Sequence, residues 1–228
     1  MAYYAPRVDT VFLIDNESTD DSVEKAIRGY SNVVVSSYSS DGKFDEQLKQ
    51  KTLHRKRAEC AGKYDYVLLL DNDEFVVPKG GRLIRETIEA AGSPDVLGTE
   101  GWSVFGYPGD APYDPSKTLF EQRRWGLPQD YYSKPIVCRP GAGLKFNLGN
   151  HIIENIPGCR PKIVPFWLFH YKGFDEEISI ARTLKLVSRL VYCPGHTYLN
   201  ITEKDLRLRF HSERDRAKPI QIVPEKIP

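Results

Sequence analysis

The stretch Tyr66-Val67-Leu68-Leu69-Leu70-Asp71-Asn72-Asp73-Glu74-Phe75 decides how this sequence is read. Five apolar or aromatic residues run without a break, and three acids then fall within four positions. A short apolar run of this kind suits a strand buried on both faces of a parallel sheet. Such a strand delivers its acids at its C-terminal end, where open α/β sheets bind ligands. Extended backbone sends Asp71 and Asp73 to the same side. Carboxylates packed this closely repel one another, and Mg²⁺ or Mn²⁺, which prefer oxygen ligands, are one remedy. A solvated acidic turn with no ligand is the other reading of the same residues.

The surrounding chain supplies the rest of an α/β pattern. Residues 10–15 (TVFLID) read as a strand, and the polar run from Asp15 to Ser22 as a turn that caps a helix over 22–28, ended by Gly29. Residues 32–36 (NVVVS) are β-branched and read as a second strand. Residues 43–62 predict a helix with Phe44, Leu48, Ala58 and Ala61 inward. Its centre is basic (Lys49, Lys51, Arg55, Lys56, Arg57), and one of these side chains is expected to reach a bound phosphate. A helix over 82–91 and a strand within 96–107 follow. Strand–helix alternation of this kind predicts a parallel core. Residues 107–132 are rich in Pro, Gly, Asp and aromatics without a period, and read as a long functional loop or lid. Strands are expected at 134–139 and 163–171. A helix at 175–190 is expected to turn Ile178, Ala181, Leu184 and Val187 inward, and a charged helix is expected at 203–216. Residues 1–190 form the expected main domain, and 191–228 a helical tail.

Composition narrows the function. The chain has 228 residues, a net charge of +1, 28% charged and 40% hydrophobic residues, which is a globular composition with no bulk electrostatic case for nucleic acid. No run approaches the roughly 18 apolar residues of a membrane span. No N-terminal signal pattern is present, so the expected location is the cytoplasm, free or peripheral at a membrane. Cys60, Cys138, Cys159 and Cys193 show no zinc spacing and read as free thiols, with a Cys138–Cys159 disulfide left open.

Several motifs then fall in order: Ile14-Asp15-Asn16-Glu17-Ser18-Thr19-Asp20, Asp71-Asn72-Asp73-Glu74-Phe75, Lys134-Pro135-Ile136-Val137, Gly149-Asn150-His151 and His170-Tyr171-Lys172. Over residues 3 to 190 the set resembles the family 2-like glycosyltransferases with a GT-A fold, in the subgroup whose acidic motif reads Asp-x-Asp-Glu-Phe. The resemblance implies a Rossmann-like three-layer α/β/α domain with a mostly parallel central sheet. It implies a nucleotide-diphospho-sugar donor, UDP- or GDP-linked, and an acceptor hydroxyl on a glycan, lipid or protein. It implies Mn²⁺ or Mg²⁺ held by Asp71 and Asp73, with His170 completing the shell and His151 second in line. The donor site is expected to draw on Asp15, Asn16, Asp41, Arg55, Asp71, Asn72 and Lys134. The family's usual first strand has no counterpart, because Tyr3 to Asp9 matches only the end of the helix that follows it; a shortened or variant member is therefore expected.

Transfer also needs a base for the acceptor hydroxyl. His151, Glu154 and Glu177 are the candidates carried forward; Asp175 and Glu176 stand beside Glu177 at a helix start, where acids are favoured in any case. Arg123 and Arg124 are further phosphate candidates. Two rival readings remain: an inactive module that keeps nucleotide or sugar binding, and a nucleotidyltransferase, whose usual Gly-rich phosphate loop is not seen.

Overall fold

The structure is a computed structural model and describes residues 1–114, 116–158, 160–191 and 201–220. In chain order it runs β1 (Val11–Asp15), α1 (Ser22–Ile27), β2 (Val33–Ser37), α2 (Glu46–Glu59), β3 (Val67–Leu68), β4 (Glu74–Pro78), α3 (Ile84–Ala90), β5 (Val96–Leu97) and β6 (Thr99–Phe105). Then follow α4 (Leu119–Gln122), β7 (Trp125–Pro128), β8 (Val137–Cys138), β9 (Phe166–Gly173), α5 (Glu176–Arg189), α6 (Glu203–Arg214) and β10 (Lys218–Pro219). The chain is mixed α/β. Strands β1 and β2 form a two-stranded parallel sheet, β3-β8-β5 a three-stranded one, and β10-β7-β6-β9-β4 a five-stranded mixed one.

The expected mostly parallel sheet is replaced by mixed pairing. Among the described residues, parallel pairing occurs between β1 and β2 and between β6 and β9, while the other ladders are antiparallel. The cause lies in the acidic stretch itself. The Asp71 carbonyl accepts from the Glu74 N–H at 3.0 Å, which closes a turn. The turn divides the 66–75 run into β3 and β4, which enter different sheets. Asp71 and Asp73 therefore do not share one extended strand, and Glu74 opens β4 opposite His170.

Two apolar clusters hold the body. Leu69, Val76, Leu97, Ile136, Val137, Phe166 and Leu168 belong to the first, and Tyr3, Val104, Phe169 and Tyr171 to the second. The N-terminal residues gave no strand signal, yet they close the outer edge of β4. The Tyr3 hydroxyl donates to the Val76 carbonyl at 2.8 Å, and the Val76 N–H donates to the Tyr4 hydroxyl at 2.8 Å. Side-chain hydroxyls here do the work of a neighbouring strand.

Three further expectations are corrected. The 107–132 segment is not a free lid: it contains α4 and β7, and β7 pairs with β6. Arg123 within it is 4% exposed and donates to the carbonyls of Phe174 at 2.7 Å and Ala111 at 3.2 Å, so its guanidinium is committed to backbone. Helix α5 buries Ser179, Ile180 and Thr183 and leaves Ile178 45% exposed, so its inward face is rotated from the apolar stripe. In the 191–228 tail, residues 201–220 pack onto the body through Leu206 and Phe210, and β10 extends the five-stranded sheet. Cys60 and Cys138 are buried free thiols, whereas Cys159 and Cys193 lie outside the described residues.

Candidate active site at the acidic turn

The turn between β3 and β4 gathers side chains from far along the chain. Lys49 comes from α2, Lys134 from the approach to β8, His170 from β9 and Arg182 from α5. The β6 strand makes room for a further neighbour. A Cβ on Gly101 would lie 2.2 Å from the Tyr132 carbonyl carbon, so only glycine lets residues 130–132 sit this close. Tyr132 is thereby held with its ring 4.5 Å from that of His170. His151 follows a turn in which Gly149 has φ +78° and Asn150 φ +58°. Helix α2 holds that turn: Gln50 donates to the Asn147 carbonyl at 2.5 Å, and the His54 ring contacts the Asn150 side-chain oxygen at 2.9 Å.

Each acid has a protein counter-charge. Glu74 and Lys134 form an ion pair of 2.6 Å with side chains 1% and 8% exposed. Burial raises the Glu74 pKa, and Lys134 opposes the rise. The second Glu74 oxygen accepts the Asp71 N–H at 3.1 Å, which fixes the turn. Asp71 pairs with Lys49 at 2.8 Å. Burial would raise the Asp71 pKa, but Lys49 and then Lys134 outweigh it and hold the carboxyl low. Asp73 Oδ2 meets Arg182 at 2.6 Å and His170 Nε2 at 3.2 Å. Burial acts upward on Asp73 too, and the His170 and Arg182 contacts overcome it, keeping Asp73 well below the usual carboxylate range.

The residues can be tested for a divalent cation. Asp73 Oδ1 and His170 Nδ1 are both buried without a hydrogen-bond partner. Adjacent ligands on an octahedral Mg²⁺ site, each about 2.1 Å from the ion, lie about 3 Å apart; the Asp73–His170 separation is 3.2 Å. That separation is between Asp73 Oδ2 and His170 Nε2, which contact each other, while the atoms without partners are Oδ1 and Nδ1; a cation shared by both side chains would take the place of the Oδ2–Nε2 contact. Among the described residues no group of three His, Cys, Asp or Glu side chains forms a ready cage. Mg²⁺ commonly uses one or two protein ligands and takes the rest from substrate phosphate and water. Arg182, with its side chain 51% exposed, supplies the positive charge at Asp73 in this state.

The expected site residues divide into three groups. Asp71, Asp73, His170 and Lys134 come together, and Asn72 is exposed on the same turn. Asp15, Asn16 and Asp41 form a polar loop cluster at the ends of β1 and β2. There Asp15 accepts from Ser18, Asn16 bonds Ser40 at 3.0 Å, and Asp41 has φ +52°. Arg55, Glu154 and Glu177 stand elsewhere. Arg55 is exposed on α2, six residues beyond Lys49 and so about 120° round the helix. Glu154 is exposed, its N–H bonded to the Lys145 carbonyl. Glu177 is gripped by Arg207 of α6 at 2.6 and 2.8 Å. Among the described residues, neither acid is hydrogen-bonded or ion-paired to the acidic turn. Lys49, Glu74, Arg182 and Tyr132 are the site residues that the sequence reading did not select. Lys49 stood in the basic run of α2 with no local mark to separate it from Arg55. Arg182 carries no sequence signal.

His151 contacts the Tyr131 carbonyl through Nδ1 at 2.7 Å and packs on the Tyr131 ring. Burial first, and then the Lys134 charge, push its pKa down to about 4. His151 is therefore neutral at pH 7 and able to accept a proton. A histidine whose folded pKa is depressed contributes stability above its unfolded pKa of about 6.5, lost as pH falls toward the folded value. Wild type is expected to lose urea stability between pH 7 and pH 5 faster than His151→Gln; parallel losses would show that the site does not hold the ring neutral.

Compared with known proteins, the sequence matches no family model and no curated protein.

Proposed function

We propose that this chain is a metal-dependent glycosyltransferase with a GT-A-type fold, moving a sugar from a UDP- or GDP-linked donor to an acceptor hydroxyl on a glycan, lipid or protein. One observation carries the reading. Motif residues 60 to 97 positions apart, Glu74 with Lys134 and Asp73 with His170, meet at one turn, where neighbouring cations hold Asp71 and Asp73 ionised despite their burial. Charge supports it further. Asp71, Asp73 and Glu74 face Lys49, Lys134 and Arg182, and Lys49 also carries Glu46, so the cluster holds no surplus positive charge. A nucleotide diphosphate adds negative charge, and in a partly desolvated site that charge needs a matching cation.

Mn²⁺ or Mg²⁺ would be held by Asp73 and His170, with Asp71 beside them, and when bound would supply Lewis-acid stabilisation of the diphosphate leaving group. The chain's own residues do the remaining work. Lys134 bonds one Glu74 oxygen and opposes the upward push of burial on its pKa, and the other Glu74 oxygen fixes the Asp71 backbone, so the acids are presented in one geometry. Asn72, exposed on the turn, is open to contact by a donor. His151, neutral at pH 7, takes the proton of the acceptor hydroxyl. Glu154 and Glu177 are the remaining candidates for the base, Glu177 only if it leaves Arg207.

The test is a nucleotide-sugar panel with Mn²⁺ or with EDTA, read by thermal shift and by release of free nucleotide. The two histidines are expected to behave differently. His170→Ala should weaken metal-dependent nucleotide binding by at least about 100-fold, more than the roughly 10- to 100-fold cost of losing an outer partner of a metal site. His151→Ala should leave that binding intact and lower turnover by about 100-fold or more, as loss of a general base does. If His151→Ala loses the metal and His170→Ala keeps it, the roles are reversed.

A second reading has its own observation. Arg182 already sits on Asp73, and a permanent internal counter-ion suits an inactive nucleotide- or sugar-binding module. Donor binding with no nucleotide released, whatever the acceptor, would favour it. Among the described residues no helix is long and apolar enough to cross a membrane.

A further inference from the structure

The acidic turn carries two ion pairs that are built in different ways. Glu74 and Lys134 are locked together. Both side chains are buried, and each Glu74 oxygen is used, one by Lys134 at 2.6 Å and the other by the Asp71 N–H at 3.1 Å. The pair of Asp73 and Arg182 is looser. Among the described residues, Arg182 donates to Asp73 Oδ2 through Nη1, a single bond of 2.6 Å, and its side chain is half exposed. Asp73 Oδ1 is buried without a partner. A guanidinium and a carboxylate fixed to each other commonly share two parallel bonds. Arg207 and Glu177 do so in this chain, at 2.6 and 2.8 Å. One bond to one oxygen leaves the buried Asp73 carboxylate underpaired, and burial makes underpairing costly.

Helix α5 lets Arg182 move while its backbone stays in place. The Ser179 hydroxyl donates to the Lys172 carbonyl of β9, which ties the helix to the sheet, and Ile180 and Thr183 are buried beside it. Arg182 leaves the helix on its exposed side. Lys185 and Arg189, also exposed, follow it on that side, within about 60° round the axis. Arg189 Nε donates to the Gly42 carbonyl at 2.5 Å. From Arg182 to Arg189 the helix advances about 10 Å. This basic face therefore reaches from the acidic turn to the loop at the ends of β1 and β2, where Asn16 is bonded to Ser40.

Asp73 Oδ2 is the atom that serves Arg182, and it also meets His170 Nε2 at 3.2 Å. A cation held by Asp73 and His170 would therefore stand against the guanidinium. Both are positive, and their repulsion is poorly screened at a partly buried carboxylate. Arg182 and a divalent ion are alternatives at this oxygen.

We infer that Arg182 is an exchangeable guard of Asp73: it neutralises the carboxylate in the free protein, gives way to Mn²⁺ or Mg²⁺, and then pairs with the nucleotide diphosphate, so that metal and nucleotide bind cooperatively through one side chain. The inference rests on the metal site proposed above. The guanidinium fork matches phosphate oxygens, so Arg182 exchanges a single bond for a two-pronged one. Metal alone must displace Arg182 with no phosphate to receive it. Nucleotide alone must draw Arg182 away from an acid that then stands unpaired. With both ligands the displacement happens once and serves each. Linkage makes this coupling equal whichever ligand arrives first.

The probes are Mn²⁺ alone, read by the electron paramagnetic resonance of the free ion, and UDP and GDP at saturating Mn²⁺, read by calorimetry. Arg182→Gln is expected to tighten Mn²⁺ alone by about tenfold, the scale of a partly exposed hydrogen bond to a charged group. It is expected to weaken the better-bound of the two nucleotides by about tenfold, for the same kind of contact. The factor by which that nucleotide tightens Mn²⁺ should fall accordingly. Opposite signs for the two ligands are the signature of exchange, since a variant that merely loosened the site would weaken both. Lys185→Gln removes a neighbouring charge from the same face and should leave the affinity for Mn²⁺ alone unchanged. An equal tightening in Lys185→Gln would assign the effect to bulk charge and overturn the inference. So would an Arg182→Gln variant that binds Mn²⁺ alone no better than wild type, or that weakens both ligands, and in either case the metal site would stand if wild type takes up Mn²⁺ with nucleotide. If neither protein binds millimolar Mn²⁺ with either nucleotide, the metal site falls and the exchange falls with it.

Discussion

Asp73→Asn is expected to abolish Mn²⁺-dependent nucleotide diphosphate binding while leaving a folded protein. The substitution keeps the shape of the side chain and removes the charge on which Arg182 and His170 converge. Disturbing an outer partner of a metal site typically costs about 10- to 100-fold, so losing a direct ligand should cost at least about 100-fold. Thermal shift with Mn²⁺ and nucleotide diphosphate, compared with EDTA, reads the effect directly. Binding that survives unchanged and ignores EDTA would sink the assignment. Stability supplies an independent check. Asp73 has a folded pKa below its unfolded value, so its contribution is fully present above the ordinary carboxylate range and is lost as pH falls through and below it. The stability gap between wild type and Asp73→Asn should therefore be widest near neutrality and close toward acid. A gap that widens toward acid would mean that the carboxyl is not held ionised by its neighbours.

The order of elements was legible, because apolar runs and turn residues announce themselves locally. Strands at 11–15 and 33–37 and helices at 46–59 and 176–189 lie within or close to the expected spans. Pairing direction was not legible. The run from Tyr66 to Phe75 looks like one buried strand, and nothing in its composition marks the backbone bond from Glu74 to Asp71 that divides it. The rotated face of α5 has a similar cause. Ser179 and Thr183 are buried because their hydroxyls bond carbonyls at Asp175 and Ser179, so polar residues hold the inward face while Ile178 points out. In the site, the acids stood out because an apolar run breaks into them, whereas His170, which lies inside β9, was singled out by the motif resemblance alone. Lys49 stood among five bases, and only three-dimensional placement separated it from Arg55. Arg182, 109 residues from Asp73, was beyond any local pattern.

Glu74 is buried, and that burial leads to the largest expected effect on stability. Lys134→Met leaves Glu74, 1% exposed, without its partner. An unpaired charge in such a position costs about 3–5 kcal/mol. For a chain of this size that is a fall in Tm on the order of 10 °C, read by calorimetry or urea unfolding. The second substitution is the stronger test. Adding Glu74→Gln removes the stranded charge and keeps an oxygen for the Asp71 N–H, so the turn can still close. Replacing both members of a buried pair with neutral groups is often close to neutral, and the double variant should recover more than half of the loss. The pH dependence has a definite sign. Burial already raises the Glu74 pKa, and without Lys134 the rise is greater. A carboxyl with a raised folded pKa destabilises when ionised, so the deficit of Lys134→Met should be largest above that pKa and shrink as pH falls through it. A single variant that loses less than about 1 kcal/mol, within the range of an exposed pair, would show that the Lys134–Glu74 contact is solvated in solution. A double variant no more stable than the single would place the loss in packing around the Lys134 stem, because removing the stranded charge would then have changed nothing.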